Sequence, residues 1–265
     1  MRYIFLALLL AYELLGGIIK APILSIDDTS SMITVKVESI SVGVTGFVVH
    51  SLAPNHTTIL KSVEVVAYDP KSKLATLKMS EFNTLRNNAL PTGEWQVKVG
   101  DGVELAFGYT RALLVAPSEE IYHQVTKAVK TQWIHPDIFA TILSYRGHPT
   151  PLKEDFMAMN IATSSGLLFI YLNKKLFTVD MKSFKILSIN DAPLVQDSVK
   201  LPFYSRIEEI EANWWGEGSD ELTSYEPHYY ELLAEYNPRD EKLYSIIKNG
   251  DKELHYLLEK FEIGK

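Results

Sequence analysis

Hydrophobic period changes once along this chain, and the change limits the folds open to it. From residue 23 to about 107, apolar residues alternate with polar ones or gather in short runs, as strands require. Ile33-Thr34-Val35-Lys36-Val37 and Leu74-Ala75-Thr76-Leu77-Lys78-Met79 alternate with period two. Gly46-Phe47-Val48-Val49 is a short run of the buried type, and Val63-Glu64-Val65-Val66-Ala67-Tyr68 stops at the turn signal Asp69-Pro70. Residues 95–99 lead into Gly100-Asp101-Gly102 and then 103–107, which predicts a hairpin with glycine at the positive-φ positions. Short strands at this spacing predict a small barrel or sandwich.

Beyond residue 111 the pattern is mixed. Ala112-Leu113-Leu114-Val115-Ala116 reads as a buried strand. Pro117 and Ser118 open a helix with Glu119 and Glu120 in its first turn, and Ile121, Tyr122, Val125, Ala128 and Val129 recur at helical spacing. A second helix is predicted from Pro136 to about Tyr145, then a loop over 146–151. Residues 167–171 and 176–179 read as a hairpin through Asn173-Lys174, with a further strand near 184–187. In the tail, Leu243, Ile246 and Ile247 form one stripe, Asn249-Gly250 stops it, and Leu254, Leu257, Leu258 and Phe261 form a second helical face after an Asp251 cap. The fold class predicted is α+β: a β-rich, barrel-like module over 22–111, an α/β module over 112–202 and a helical segment over 203–265.

Residues 1–21 read as a secretory signal peptide. Arg2 precedes a short apolar run that breaks at Glu13, and small residues follow at Gly16, Gly17 and Ala21. The run falls well short of the roughly 18–20 apolar residues that cross a bilayer. Ala11, Gly17 and Ala21 are the candidate cleavage points, and an uncleaved, anchored N-terminus is the alternative. No later segment is long and apolar enough for a transmembrane helix. Cysteine is absent, which removes disulfides, thiolate catalysis, thiolate metal sites and a lipoprotein anchor. A formal net charge of −7 argues against a duplex nucleic-acid partner. The expected location is the periplasm or the outer surface.

Catalytic patterns do not emerge. His50, His56, His123, His135, His148, His228 and His255 include no HxH or HExxH spacing, so neither a metal nor a cofactor is predicted. Gly100-Asp101-Gly102 lacks the rest of a phosphate loop, and Ser164-Ser165-Gly166 lacks the first glycine of a nucleophile elbow. Glu208, Glu209 and Glu211 offer one carboxylate of a glycosidase pair without a partner. Trp214-Trp215, with Trp95, would suit sugar stacking, but such rings more often fill a core, and two adjacent residues of a strand face opposite sides. Asn55-His56-Thr57 has the form of a glycosylation sequon. No residue is assigned a catalytic role.

Several fragments, in order, carry a resemblance. They are Gly46-Phe47-Val48-Val49, Leu90-Pro91-Thr92, Gly100-Asp101, Leu113-Leu114-Val115-Ala116-Pro117 with Ile121-Tyr122, Pro202-Phe203-Tyr204-Ser205-Arg206-Ile207-Glu208, and Tyr229-Tyr230. Taken together over 31–236 the chain resembles the N-terminal domain of the bacterial plasminogen-binding proteins A and B of Helicobacter and its relatives. The resemblance implies an exported, non-enzymatic binding protein that captures plasminogen through lysine, above all a C-terminal one. A kringle lysine site recognises an ammonium and a carboxylate separated by an apolar stem, and a chain-terminal lysine supplies all three. Lys265 would then be the primary ligand residue and Lys260 a helper. Family members continue into a long Lys/Glu/Arg-rich tail, whereas this sequence has about thirty residues of amphipathic helix there. Two other expectations stand beside this one. One is a periplasmic scaffold for an envelope machine, docking through the stripe at 254–261. The other is a cell-wall sugar-binding protein or hydrolase using Glu208, Trp214 and Trp215.

Overall fold

The computed structural model of the protein describes residues 17–54, 56–82 and 95–264. Residues 1–16 of the expected export segment, Asn55 of the sequon, the Leu90-Pro91-Thr92 fragment and Lys265 lie outside the described residues. The architecture is α+β, and the chain divides into two compact units, one of Gly16–Tyr109 and one that takes in Thr110–Lys265.

The first unit is a closed antiparallel barrel of six strands among the described residues: β1 (Ile19–Asp27), β2 (Met32–Lys36), β3 (Thr45–Ala53), β4 (His56–Asp69), β5 (Leu74–Glu81) and β6 (Gly102–Leu105). Around the barrel the order is β1-β2-β5-β4-β3-β6. Period two aims every second side chain inward, so Ile23, Ile33, Val35, Val48, Val65, Leu77, Val103 and Leu105 fill the interior. Gly46 stands where β3 crosses β6, and a Cβ there would lie 2.1 Å from the Glu104 carbonyl oxygen. Only glycine permits that approach.

Two hairpins use one turn device. The Asp27 carboxylate accepts the Ser30 hydroxyl at 2.6 Å and the Thr29 N–H at 3.0 Å. The Asp69 carboxylate accepts the Ser72 hydroxyl at 2.5 Å and the Lys71 N–H at 3.0 Å. Ser31 and Lys73 then close the turns with φ of 54° and 59°. The serine hydroxyls are the main reason both carboxyls sit below their ordinary pKa.

The hairpin expected over 95–107 does not form. Residues 95–98 lie outside any strand, and β6 pairs instead with β1 and β3. Asp101 redirects the chain: its carboxylate accepts the Lys98 N–H at 2.8 Å and lies 2.6 Å from His50 Nδ1. Its carbonyl accepts the Ile23 N–H at 2.9 Å, which ties the segment to β1. Barrel closure supplies β6 with two partners, where a hairpin would supply one.

β1 also bears on the expected cleavage points. Ile19, Lys20 and Ala21 pair with Leu105, Glu104 and Val103. A cut after Ala21 would strip these three residues from the ladder. Cuts after Ala11 or Gly17 leave β1 whole.

The second unit is a five-stranded mixed sheet in the order β11-β10-β9-β7-β8, with β7 (Arg111–Val115), β8 (Gln132–Ile134), β9 (Leu167–Leu172), β10 (Lys175–Asp180) and β11 (Ile186–Asp191). β7 runs parallel to β8 and β9, so helices must make the crossovers. Helix α1 (Glu119–Ala128) links β7 to β8, and α2 (Pro136–Arg146) and α3 (Lys153–Thr163) link β8 to β9. Every residue of β9 is buried, as in a strand covered on both faces. α4 (Tyr225–Tyr236), α5 (Glu241–Asn249) and a terminal 3₁₀ helix (Lys252–Lys260) complete the same core, where Tyr229, Leu233, Ile247 and Leu257 join Phe139, Phe156 and Phe177.

Three details depart from the sequence reading. Helix α3 has no counterpart in it, because a wholly buried acid, Asp155, interrupts the apolar pattern. That carboxylate accepts the Leu152 N–H at 2.7 Å and Arg146 Nε at 2.5 Å, and lies 2.9 Å from His148 Nδ1. The terminal stripe winds as a 3₁₀ helix. The third strand of the meander begins at Ile186, after Phe184 turns at φ 62°.

Candidate functional site

Lys260 is the one predicted ligand residue within the described residues, at the end of the terminal 3₁₀ helix. Its Nζ lies 3.0 Å from Glu231 Oε1, and both side chains are at the surface. An exposed pair of this kind holds by about 0–1 kcal/mol, so the ammonium can change partners at little cost. The apolar stripe beside it offers nothing outward: Leu254, Leu257 and Phe261 are buried in the core of their own unit.

The surface behaves differently at residues 211–220. Trp214 is 99% exposed and Trp215 is 84% exposed. Neither lies in a strand, so the rule of opposite strand faces does not apply to them. The loop is clasped at both ends. Upstream, the Glu211 N–H donates to Ser144 Oγ at 3.2 Å, and Asn213 donates through its backbone N–H to the Gly147 carbonyl at 3.0 Å and through Nδ2 to the Arg146 carbonyl at 2.7 Å. Downstream, Thr150 donates through its N–H to the Gly218 carbonyl at 3.1 Å and through Oγ1 to the Asp220 carbonyl at 2.7 Å. Gly147 closes α2 at φ 72°, and a Cβ there would lie 2.1 Å from Asn213 Cγ. Gly216 and Gly218 supply the positive φ that turns the chain between the clasps.

Tyr145 sits between two of the clasping residues and is 93% exposed. The sequence reading gave it no role, although its position off the buried Phe139-Ala140-Leu143 face of α2 was available as a signal. Leaving a ring in water forgoes burial energy on the order of 3 kcal/mol. Along the same stretch of chain, Glu208, Glu209, Glu211, Glu217, Asp220 and Glu221 are exposed, and none of the six makes an ion pair among the described residues. No lysine or arginine occurs from 207 to 238. The expected glycosidase carboxylate, Glu208, therefore stands in open solvent.

Elsewhere, charged groups serve the fold. Asp101 and Asp155 each place one oxygen near a histidine and give the other to a backbone N–H, so each ties a loop together. An open cleft of about 500 Å³ is lined by Asn173, Lys175, Tyr230, Asn249, Asp251 and Leu254. Its lysine is paired with Asp191 at 2.5 Å, and its Asp251 caps the terminal 3₁₀ helix through the Glu253 N–H at 3.0 Å. No group of three or more His, Asp or Glu side chains among the described residues is placed to hold a metal. No described helix is long and apolar enough to cross a membrane.

Fragments behind the resemblance that fall within the described residues are parts of this framework. Tyr204 donates its N–H to the Ala116 carbonyl at 2.7 Å, Phe203 stacks on Phe139 with centroids 5.3 Å apart, and Arg206 Nε donates to Asp137 Oδ2 at 2.7 Å. A comparison with protein families matches residues 18–233 to the family described as plasminogen-binding protein pgbA N-terminal. The chain belongs to the PgbA N-terminal family. Among curated proteins, plasminogen-binding protein PgbA from two strains of Helicobacter pylori is 28% identical over 224 residues, covering 82% of this chain and 47% of each relative. The chain thus spans about half the length of those relatives. No solved structure matches it significantly. The PgbA N-terminal match begins just before β1 and ends inside α4. It takes in the tryptophan loop and leaves out both Lys260 and Lys265.

Proposed function

We propose that this chain is an exported, non-enzymatic binding protein of the bacterial cell envelope that captures plasminogen through lysine. The family match over residues 18–233 carries this reading, since the family and its Helicobacter relatives are named for plasminogen binding. Two local facts agree with it. Lys260 presents an ammonium whose ion-pair partner among the described residues is Glu231 at the surface, and Lys265 is the second lysine that the resemblance singles out. The pairing of Ile19, Lys20 and Ala21 with β6 supports a leader that ends at or before Gly17.

The test is binding of the full chain to immobilised plasminogen before and after carboxypeptidase B. The expected result is saturable binding, competed by free lysine and weakened at least about tenfold by the treatment, a loss of roughly 1.4 kcal/mol. No binding before treatment overturns the activity. Unchanged binding after it removes Lys265 as the ligand and directs the search to Lys260→Ala. Fractionation with surface protease shaving, and N-terminal sequencing of the mature protein, test export and the cleavage point.

A further inference from the structure

We infer that the loop bearing Trp214 and Trp215 is a docking surface for a basic protein segment, one rich in lysine or arginine. This partner has the opposite charge to one that captures lysines of this chain, so the inference stands apart from the plasminogen reading.

Four observations converge. Two indole rings are almost fully in water, with Tyr145 beside residues that hold their loop. The loop is fixed at both ends by hydrogen bonds to residues 144–150, so the backbone that carries the rings needs little ordering at the moment of binding. Six carboxylates lie between residues 208 and 221, none ion-paired among the described residues. No lysine or arginine occurs over 207–238, and Arg146 in the clasp and Arg206 upstream are paired with Asp155 and Asp137. An indole face attracts a cation more strongly than the other aromatic rings, and flanking carboxylates add long-range attraction. A neutral sugar would gain nothing from the charges. A single small amine would leave most of them unmatched. An anionic lipid surface would be repelled. A segment carrying several ammonium or guanidinium groups on apolar stems satisfies both the rings and the carboxylates.

The experiment uses the full chain and a lysine decapeptide, with a glutamate decapeptide as control, followed by calorimetry or by change in tryptophan emission at low salt. Saturable binding of the lysine peptide alone is expected. Trp214→Ala with Trp215→Ala should weaken it about tenfold, while Trp95→Ala leaves it unchanged. Glu217→Gln with Asp220→Asn should also weaken it and flatten its salt dependence. The tryptophan variant should unfold at the parent temperature, since the replaced rings support no core. Equal affinity of that variant and the parent overturns the inference, leaving net charge as the sole attraction. So does absence of saturable binding to the lysine peptide. Uptake of phosphatidylcholine vesicles that depends on the two rings, without peptide binding, also overturns it by assigning the face to lipid.

Discussion

Two apolar segments in the second half of this chain end in opposite places, one in the core and one in water. Leu254, Leu257 and Phe261 form a stripe that could either dock a partner or close a core, and they close the core. Trp214 and Trp215 belong to the residue type most often used for packing, and they stand in solvent. Neighbouring structure decides both cases. The stripe sits on a 3₁₀ helix that meets α4 and α5, where Leu233 and Ile247 receive it. The rings sit on a loop whose backbone is committed to residues 144–150, so they cannot fold back without breaking that clasp. Apolar character alone does not separate a core stripe from a binding face. What each segment's backbone is bonded to does.

Substitutions can break or sharpen this contrast. The largest effect is expected at Leu257, which is fully buried. Leu257→Ala should cost about 2–5 kcal/mol in denaturant unfolding. A cost below about 1 kcal/mol would mean that the stripe is not core. Gly147→Ala comes next, at about 1–2 kcal/mol, because it forces a side chain at φ 72° into Asn213. It should also release the loop, seen as faster amide exchange at Asn213 and Gly218; unchanged exchange would contradict the clasp.

Acid tests the segment that leads into the loop. Burial pushes the Asp137 carboxyl up, but the Arg206 backbone N–H and guanidinium outweigh it and hold the group below its ordinary value. A depressed carboxyl contributes stability above its unfolded pKa and loses it as pH falls through the folded one. Asp137→Asn should cost about 1 kcal/mol at neutral pH, and the gap from the parent should close below about pH 4. A gap that persists in acid would show that the Arg206 contact is not the source. The smallest effects belong to the surface residues. Lys260→Ala should change stability by less than about 1 kcal/mol, and Trp214→Ala with Trp215→Ala by about 0.5 kcal/mol or less. A larger loss from the tryptophan pair would place those rings against structure.

Much of the barrel was legible because period two is a local signal, as in 33–37 and 74–79, which became β2 and β5. Gly46 could be read as part of a buried run, yet its necessity comes from Glu104 on a strand distant in sequence. Barrel closure was hidden for the same reason, and residues 95–107 therefore read as a hairpin. Helix α3 was obscured by Asp155, whose burial makes sense only once Arg146 and His148 stand around it. At the candidate sites, the composition of 207–238 was visible from the start, but ring exposure was not. It follows from hydrogen bonds to Gly147 and Thr150, more than sixty residues upstream.

The most direct test of this contrast is acrylamide quenching of tryptophan emission, comparing the parent with a Trp214→Phe, Trp215→Phe variant. The difference isolates those two rings from Trp95 and Trp133. It should show the red-shifted emission and unhindered quenching of free tryptophan in water. A blue-shifted difference spectrum that resists the quencher would mean that the rings are packed, and neither the clasped loop nor its docking role would stand.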